Sequence, residues 1–225
     1  MPDDVPDWPP YWVVVLPGAL IALQFAVAVV AAAGVRVTLG GVLLLTGLAD
    51  VAVVGLAVVC LCAVPRLPLA RLGLRPPAQQ ADFIVLPLAG IALSVAGVLL
   101  ADALYEALSR GQPPPPQTSV RLLSGVRDPG LRALALLVVG IVAPIAEEIL
   151  FRGVVFRILW RRLNLTGGVV LSAVLFSAAH LDPAHALHLA AIGMVLAWIV
   201  SRSGSLYPGM ILHALINTAG LLSSW

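Results

Sequence analysis

Two adjacent carboxylates and an arginine lie inside an otherwise apolar stretch of the chain. Glu147, Glu148 and Arg152 interrupt the segment 131–159, which consists mainly of Leu, Val, Ala, Ile and Phe. An ionisable group near the middle of a bilayer is unfavourable by about 2.5 kcal/mol or more, so it is normally paired and normally functional. A carboxylate in such surroundings is suited to accept or donate a proton as a general base or acid. The stretch is therefore a candidate centre for chemistry.

The spacing of these three residues separates their roles. On an α-helix successive residues turn by about 100°, so Glu148 and Arg152, at i and i+4, share a face, whereas Glu147 points elsewhere. Arg152 is then expected to neutralise Glu148, which leaves Glu147 as the freer carboxylate. The alternative is that Glu148 and Arg152 form a purely structural ion pair and that Glu147 faces a lipid headgroup.

Two later segments each carry a pair of residues at i,i+4. Phe176 and His180 share one helical face, and His213 and Asn217 share another. A single membrane histidine is more often a hydrogen-bonded packing residue than a ligand, but polar groups on three helices indicate one common site, because an unpaired group in lipid costs several kcal/mol. The set fits hydrolysis by water: a carboxylate takes the proton, imidazoles position the water or a metal, and an amide stabilises the oxyanion.

Three further polar residues stand outside these motifs. Asp50, in an apolar segment, is expected to cap a break after Gly47 or to bond to a neighbouring helix; the alternative is that it reaches the active cavity. His185 and His188 follow Asp-Pro at i,i+3 and are expected at the membrane interface. The alternative for His188 is that it replaces His213 as a ligand.

The elements that must position these residues are membrane helices. The chain has 60% hydrophobic and 11% charged residues and a mean hydropathy of +1.04, and this composition excludes an ordinary soluble domain. The net charge of +2 gives no support for nucleic-acid binding. The N-terminus lacks the basic region of a signal peptide, so the first helix is expected to be retained. We predict an all-α polytopic membrane protein with about seven transmembrane helices, at 11–33, 42–64, 83–104, 131–159, 167–180, 184–201 and 206–222.

The proline-rich stretch 105–130 divides the chain. We predict about three N-terminal transmembrane helices in 1–104, a polar linker in 105–130 that includes Pro113 to Pro116, and a catalytic helical core in 131–225. The four C-terminal helices are expected to form the catalytic bundle.

The Glu-Glu-Arg, Phe-His and His-Asn motifs described above follow one another on successive hydrophobic segments. In this order they resemble the motifs of the CPBP family of intramembrane proteases, which comprises the CAAX proteases and bacteriocin-processing enzymes and is also called the Abi family. The resemblance covers about residues 130–220, and the first three helices match only as generic membrane segments. The motifs are Glu147-Glu148-x-x-x-Arg152, Phe176-x-x-x-His180 and His213-x-x-x-Asn217.

The resemblance implies an intramembrane endopeptidase that hydrolyses a peptide bond of a membrane-associated protein or peptide. By the same resemblance, Glu147 activates the water and His180 helps to bind or activate it. His213 and Asn217 would line the site and stabilise the oxyanion.

The remaining implications concern support, metal and partners. Glu148 and Arg152 would hold the architecture of the site. A zinc ion (Zn2+) held by Glu147, His180 and His213 is a hypothesis for the cofactor, because metal dependence is disputed within the family. The expected partners are the lipid bilayer and a peptide or membrane-protein substrate, prenylated or not. The expected location is a bacterial plasma membrane, crossed several times, and the oligomeric state stays open.

Two other functions are compatible with the same residues. One is a non-catalytic bacteriocin-immunity or scaffold protein of the same fold, which would bind a peptide without cutting it. The other is a proton-coupled transporter that uses Glu147 and the histidines as a relay, which the lack of a recognisable repeat between the two halves disfavours.

Overall fold

The fold is a bundle of helices. A computed structural model describes residues 6–32, 38–63 and 66–225, and no β-strand occurs among them. The helices in these ranges are α1 (Trp12–Ala32), α2 (Leu39–Val58, continued by a π-helical turn at Val59–Ala63), α3 (Asp82–Leu108), α4 (Thr118–Leu123), α5 (Pro129–Arg162), α6 (Leu165–Ala179), α7 (Ala186–Ser203) and α8 (Tyr207–Ser223).

The predicted all-α membrane class is confirmed, and each of the seven predicted segments coincides with a helix. Five helices of the described chain are long and apolar enough to cross a membrane: α1, α2, α3, α5 and α7 with its preceding turn. The count of seven spans is not confirmed, since α6 has 15 residues and α8 has 17. At 1.5 Å per residue, α6 extends over about 22 Å, less than the roughly 30 Å of a bilayer core. Of the turn predicted at 34–41, between the first two spans, residues 34–37 lie outside the described ranges, and residues 39–41 belong to the first turn of α2.

Helix α5 is the central element of the bundle. Half of the most apolar stretch of α5 is buried inside the protein, compared with 22% of the corresponding stretch in α1 and in α3. It packs against α1, α2, α6, α7 and α8, while α3 packs on α7 and α8. The helix that carries the paired carboxylates is therefore surrounded by protein.

Two π-helical segments widen α5 on either side of Glu147. The first, Val138–Val142, precedes Pro144. Proline has no N–H to donate, and its ring collides with the carbonyl group four residues earlier, here that of Gly140, so a wider turn relieves the collision. The second, Glu148–Val155, contains the predicted ion pair. Single π-helical turns within α-helices are frequent at functional sites.

The loop between α2 and α3 fixes the start of α8. The backbone N–H of Leu206 donates to the carbonyl oxygen of Gly73 at 2.9 Å, and the hydroxyl group of Ser205 donates to the carbonyl oxygen of Arg75 at 2.6 Å. Gly73 adopts a φ of +91°, which a residue with a side chain rarely does. Because α8 begins at Tyr207, these bonds set the position of the histidine and asparagine that it carries.

The predicted linker at 105–130 contains ordered helical structure. Helix α3 continues to Leu108, and α4 lies in the middle of the stretch. The indole N–H of Trp225 donates to the carbonyl oxygen of Leu123 at 2.8 Å, which ties α4 to the C-terminal end of α8.

Candidate active site

The predicted ion pair on α5 is formed and fully buried. Nη1 of Arg152 donates to Oε1 of Glu148 at 2.9 Å, and their side chains are 1% and 0% exposed. Nη2 of Arg152 also donates to the backbone carbonyl oxygen of Gly193 on α7 at 3.2 Å. The guanidinium group lies 4.3 Å from the centre of the Phe176 ring, in a cation–π contact. The pair thus joins α5 to α6 and α7.

Two glycines make room for this pair. A Cβ atom at Gly193 would lie 3.0 Å from Ala173 on α6, and one at Gly209 would lie 3.2 Å from Oε2 of Glu148. Small residues allow helices to approach closely in a membrane. The close approach of α7 to α6 and of α8 to α5 therefore depends on the lack of a side chain at these two positions.

Two histidines converge on Glu147. Nε2 of His213 lies 3.7 Å from Oε2 of Glu147, and Nε2 of His180 lies 3.9 Å from the same oxygen. The other ring nitrogens face acceptors: Nδ1 of His180 lies 2.8 Å from the carbonyl oxygen of Phe176, and Nδ1 of His213 lies 3.1 Å from Oε1 of Glu148. Because these oxygens only accept, we assign the proton of each neutral ring to Nδ1. Both histidines then direct a lone pair on Nε2 towards Glu147.

Phe176 orients both imidazole rings. Its ring meets that of His180 edge-on at 4.6 Å between centroids and that of His213 edge-on at 5.7 Å. Phe151 packs edge-on against it at 5.2 Å. Edge-to-face contacts of this kind are favourable, so this buried aromatic ring holds the two histidines in their observed directions.

The site contains polar atoms that the protein does not satisfy. Oε2 of Glu147 and Oε2 of Glu148 are buried and accept no hydrogen bond from the described residues. A buried acceptor without a partner costs roughly 1–3 kcal/mol, so such atoms mark places where a bound molecule donates. A water at Glu147 could donate one hydrogen to Oε2 and the other to Nε2 of an imidazole.

Asn217 lies one turn beyond His213 and makes a different contact. Its side-chain amide donates from Nδ2 to the carbonyl oxygen of Val139 at 3.0 Å. Val139 precedes Glu147 by about two turns of α5. The structure thus brings five of the six predicted residues into direct contact, whereas Asn217 binds α5 about two turns before Glu147 and uses one of its two amide hydrogens there.

Asp50, on α2, lies beside the site, a position that the sequence analysis gave only as the alternative. Its Oδ1 accepts from Nε2 of Gln24 on α1 at 3.3 Å, so the predicted bond to a neighbouring helix is confirmed. Asp50 also lines a cavity together with Glu147, which was the alternative. The sequence analysis missed Gln24; its signal was an amide side chain inside the first apolar span.

His185 and His188 are not members of this cluster. Nε2 of His188 lies 2.8 Å from Oδ1 of Asp102 on α3, and Nδ1 of His185 lies 3.0 Å from Oδ2 of Asp182. His188 therefore does not take the place of His213, and both histidines are held in carboxylate pairs.

The donors around Glu147 are chemically suited to zinc, but their geometry is not that of a formed zinc site. Two imidazole Nε2 atoms and a carboxylate oxygen are common zinc ligands. Bonds of about 2.0 Å in a tetrahedron place ligand atoms about 3.3 Å apart, and the separations to Glu147 are 3.7 and 3.9 Å. Within the described ranges, no group of three or more His, Cys, Asp or Glu side chains has the arrangement of a metal site.

Comparison with known proteins agrees with the motifs. A region of 85 residues, 38% of this chain, is 33% identical to "Putative membrane peptidase YdiL" of Bacillus subtilis (strain 168), of which it covers 35%. A region of 94 residues, 40% of this chain, is 36% identical to an "Uncharacterized 24.3 kDa protein" of Escherichia coli, of which it covers 43%. The chain therefore spans less than half the length of these relatives that it matches. No solved structure gives a significant match.

The family comparison covers the part of the chain that holds the three motifs. The segment begins with α5 and ends within α8, so it includes all six residues of the predicted site. The resemblance predicted from the motifs is thereby confirmed: residues 129–219 match the family described as type II CAAX prenyl endopeptidase, Rce1-like.

Proposed function

We propose that this integral membrane protein is an intramembrane endopeptidase that cleaves a peptide bond with water activated by Glu147. One observation supports the proposal most strongly: two imidazole Nε2 atoms lie 3.7 and 3.9 Å from a buried oxygen of Glu147, which accepts no hydrogen bond from the part of the chain that the structure describes. This arrangement supplies three acceptors around one point and so suits the binding and deprotonation of water.

In the first step, water donates one hydrogen to Oε2 of Glu147 and the other to Nε2 of His180. Its oxygen attacks the carbonyl carbon of the scissile peptide bond while its proton passes to Glu147. The carbonyl π electrons move to the carbonyl oxygen, which becomes an oxyanion. A general base within hydrogen-bond reach of the transferred proton contributes typically 10²–10⁴-fold to the rate.

The oxyanion needs a donor, and the contacts of His213 favour Asn217 for this role. A neutral His213 whose Nδ1–H donates to Glu148 has no hydrogen on Nε2, so it cannot donate to the oxyanion. Arg152 already balances the charge of Glu148, so Glu148 does not require a protonated His213. We assign oxyanion stabilisation to the second amide hydrogen of Asn217 and water binding to Glu147 and His180, while His213 lines the site beside them.

In the second step, the C–N bond breaks and Glu147 returns its proton to the leaving nitrogen. The oxyanion re-forms the carbonyl group as the bond breaks, so the immediate products are a carboxylic acid and an amine, and Glu147 is again ionised. Transfer of the acid's proton to the amine then gives a carboxylate and an ammonium group. Glu148 and Arg152 take no part in the bond changes; they fix α5 against α6 and α7 and hold His213 by its Nδ1 atom.

The substrate class we propose is a membrane-associated peptide or protein. A prenylated peptide ending in a CAAX sequence is the first choice, because the name of the matching family describes a CAAX prenyl endopeptidase. A bacteriocin or leader peptide is the second. A zinc ion held by Glu147, His180 and His213 remains a hypothesis, and no step above is assigned to it.

The test is cleavage of a panel of farnesylated and plain CAAX peptides and leader peptides by purified protein in detergent. Glu147→Gln keeps the size of the side chain and removes the base, so we expect the rate to fall at least 100-fold. Glu106→Gln makes the same chemical change at an exposed position on α3 and should leave the rate within twofold. A chelator added to the wild-type protein reports on zinc.

Each outcome separates the hypotheses. Cleavage that is lost in Glu147→Gln and kept in Glu106→Gln supports the peptidase. Peptide binding without cleavage, equal in the wild type and in Glu147→Gln, supports the immunity or scaffold function instead. Equal cleavage by all three proteins would contradict the role of Glu147.

A further inference from the structure

Asp50 is a buried carboxylate that the proposed reaction does not use. Its side chain is 1% exposed on α2, in the part of the chain outside the family match. Oδ1 accepts a hydrogen bond from Gln24 on α1, and Oδ2 is buried without a partner among the described residues. A carboxylate oxygen in this condition is unfavourable, so its retention in an apolar helix calls for a role.

Asp50 and Glu147 line the same cavity. This cavity lies between α1, α2 and α5, and every other side chain of its lining is apolar. The cavity is too narrow to admit a water molecule, so no solvent lies in it to screen the two groups.

Glu147 therefore lies between unlike neighbours. On one side are the two imidazole Nε2 atoms, within 4 Å of its Oε2 atom. On the other side is a carboxylate, and like charges repel strongly where water is excluded. A Glu147 side chain turned towards α2 would approach this carboxylate, whereas one turned towards the histidines moves away from it.

We infer that Asp50 is a positioning residue that keeps the carboxylate of Glu147 directed at the histidines, with Gln24 holding Asp50 in place. The inference deepens the proposed function and rests on it for its kinetic consequence. It also places a contribution to the site in the N-terminal helix pair α1–α2.

The main test is Asp50→Asn, which keeps the shape of the side chain. The Asn carbonyl oxygen can still accept from Gln24, and its NH2 group then faces Glu147 and donates to it, so Glu147 is drawn away from the histidines. With a farnesylated CAAX peptide as the probe, we expect kcat to fall about 10- to 100-fold, as for one hydrogen bond to a charged group, with KM within twofold. Thr46→Val, one turn earlier on α2, is the matched control and should leave kcat within twofold.

A second readout needs no substrate. Asp50→Asn replaces a repulsion by a hydrogen bond, so it should raise the apparent Tm in detergent by about 2–4 °C in the wild-type background. In the Glu147→Gln background the repulsion is already absent, and the rise should disappear. A merely structural Asp50 would give the same fall in Tm in both backgrounds.

These readouts make the inference and the proposed function separately testable. If the wild type cleaves no peptide of the panel, the proposed function fails, while the Tm cycle still reports whether Asp50 and Glu147 interact. If Asp50→Asn keeps kcat within twofold, or shifts Tm equally in both backgrounds, the positioning role is overturned. If Asp50→Asn does not fold, Gln24→Met removes the hydrogen bond that holds Asp50 and should lower kcat about 3- to 10-fold; an unchanged kcat overturns the inference.

Discussion

Replacing Arg152 by Met tests what holds the centre of this site. The substitution keeps a long side chain but removes the charge and two hydrogen bonds, at 2.9 Å to Glu148 and 3.2 Å to the carbonyl oxygen of Gly193. It also removes the cation–π contact with Phe176 at 4.3 Å. The carboxylate of Glu148, 0% exposed, is then left without its counter-charge.

The expected loss in the free energy of unfolding is about 3–5 kcal/mol, the usual effect of breaking a buried ion pair on one side. This is a large part of the 5–15 kcal/mol by which proteins are typically stable. The double variant Arg152→Met/Glu148→Met replaces both charges by apolar groups, which is often close to neutral. It leaves Nδ1 of His213 without its acceptor, so we expect a net loss of about 1–2 kcal/mol.

The assay is reversible unfolding in mixed micelles, followed by circular dichroism as SDS is increased. Arg162→Met is the matched control on the same helix, because Arg162 is 46% exposed and pairs with Asp7 at 3.0 Å. Exposed pairs contribute about 0–1 kcal/mol. A loss of less than 1 kcal/mol for Arg152→Met, or a double variant as unstable as the single one, would refute the view that the ion pair secures Glu148.

Two further predictions concern α8. Gly209→Ala places a methyl group 3.2 Å from Oε2 of Glu148, so we expect the free energy of unfolding to fall by about 1–2 kcal/mol. Gly220→Ala, whose Cβ would have no atom of the described residues within 4 Å, should match or exceed the stability of the wild type in the same SDS titration. Asn217→Ala removes the hydrogen bond to Val139 and the proposed oxyanion donor, so kcat for peptide cleavage should fall about 10²–10³-fold. An unchanged kcat would show that Asn217 does not stabilise the oxyanion.

Local spacing in the sequence was enough to predict the Glu148–Arg152 pair. An i,i+4 relation fixes which side chains of a helix can touch, and the wider turn of the π-helical segment does not separate them. The helical segments were predicted for a similar reason, because their apolar runs are bounded by Gly, Pro and Arg clusters. Even the short length of α6 was visible from the position of His180.

The sequence could not predict which residues of different helices touch. A soluble helix shows its buried face by periodicity, but a lipid-facing surface is as apolar as a protein-facing one, so α1 and α2 carry no such signal. For this reason neither the approach of Asp50 to Glu147 nor the bond between His213 and Glu148 could be assigned. The π-helical turns were missed because Pro144 indicates a distortion without indicating its kind.

The candidate site extends beyond residues 129–219, the segment that matches the family. Glu147 lies on α5 with the histidine helices on one side and with α1 and α2 on the other. Without α1 and α2, this second side would face lipid, where nothing opposes rotation of the carboxylate away from the histidines. With them, this side of Glu147 lies in a narrow cavity that α1 and α2 help to line. The other polar residue of the cavity is Asp50, which accepts a hydrogen bond from Gln24. The N-terminal helices therefore both exclude lipid from the base and limit its direction, although their sequence indicates only membrane spans.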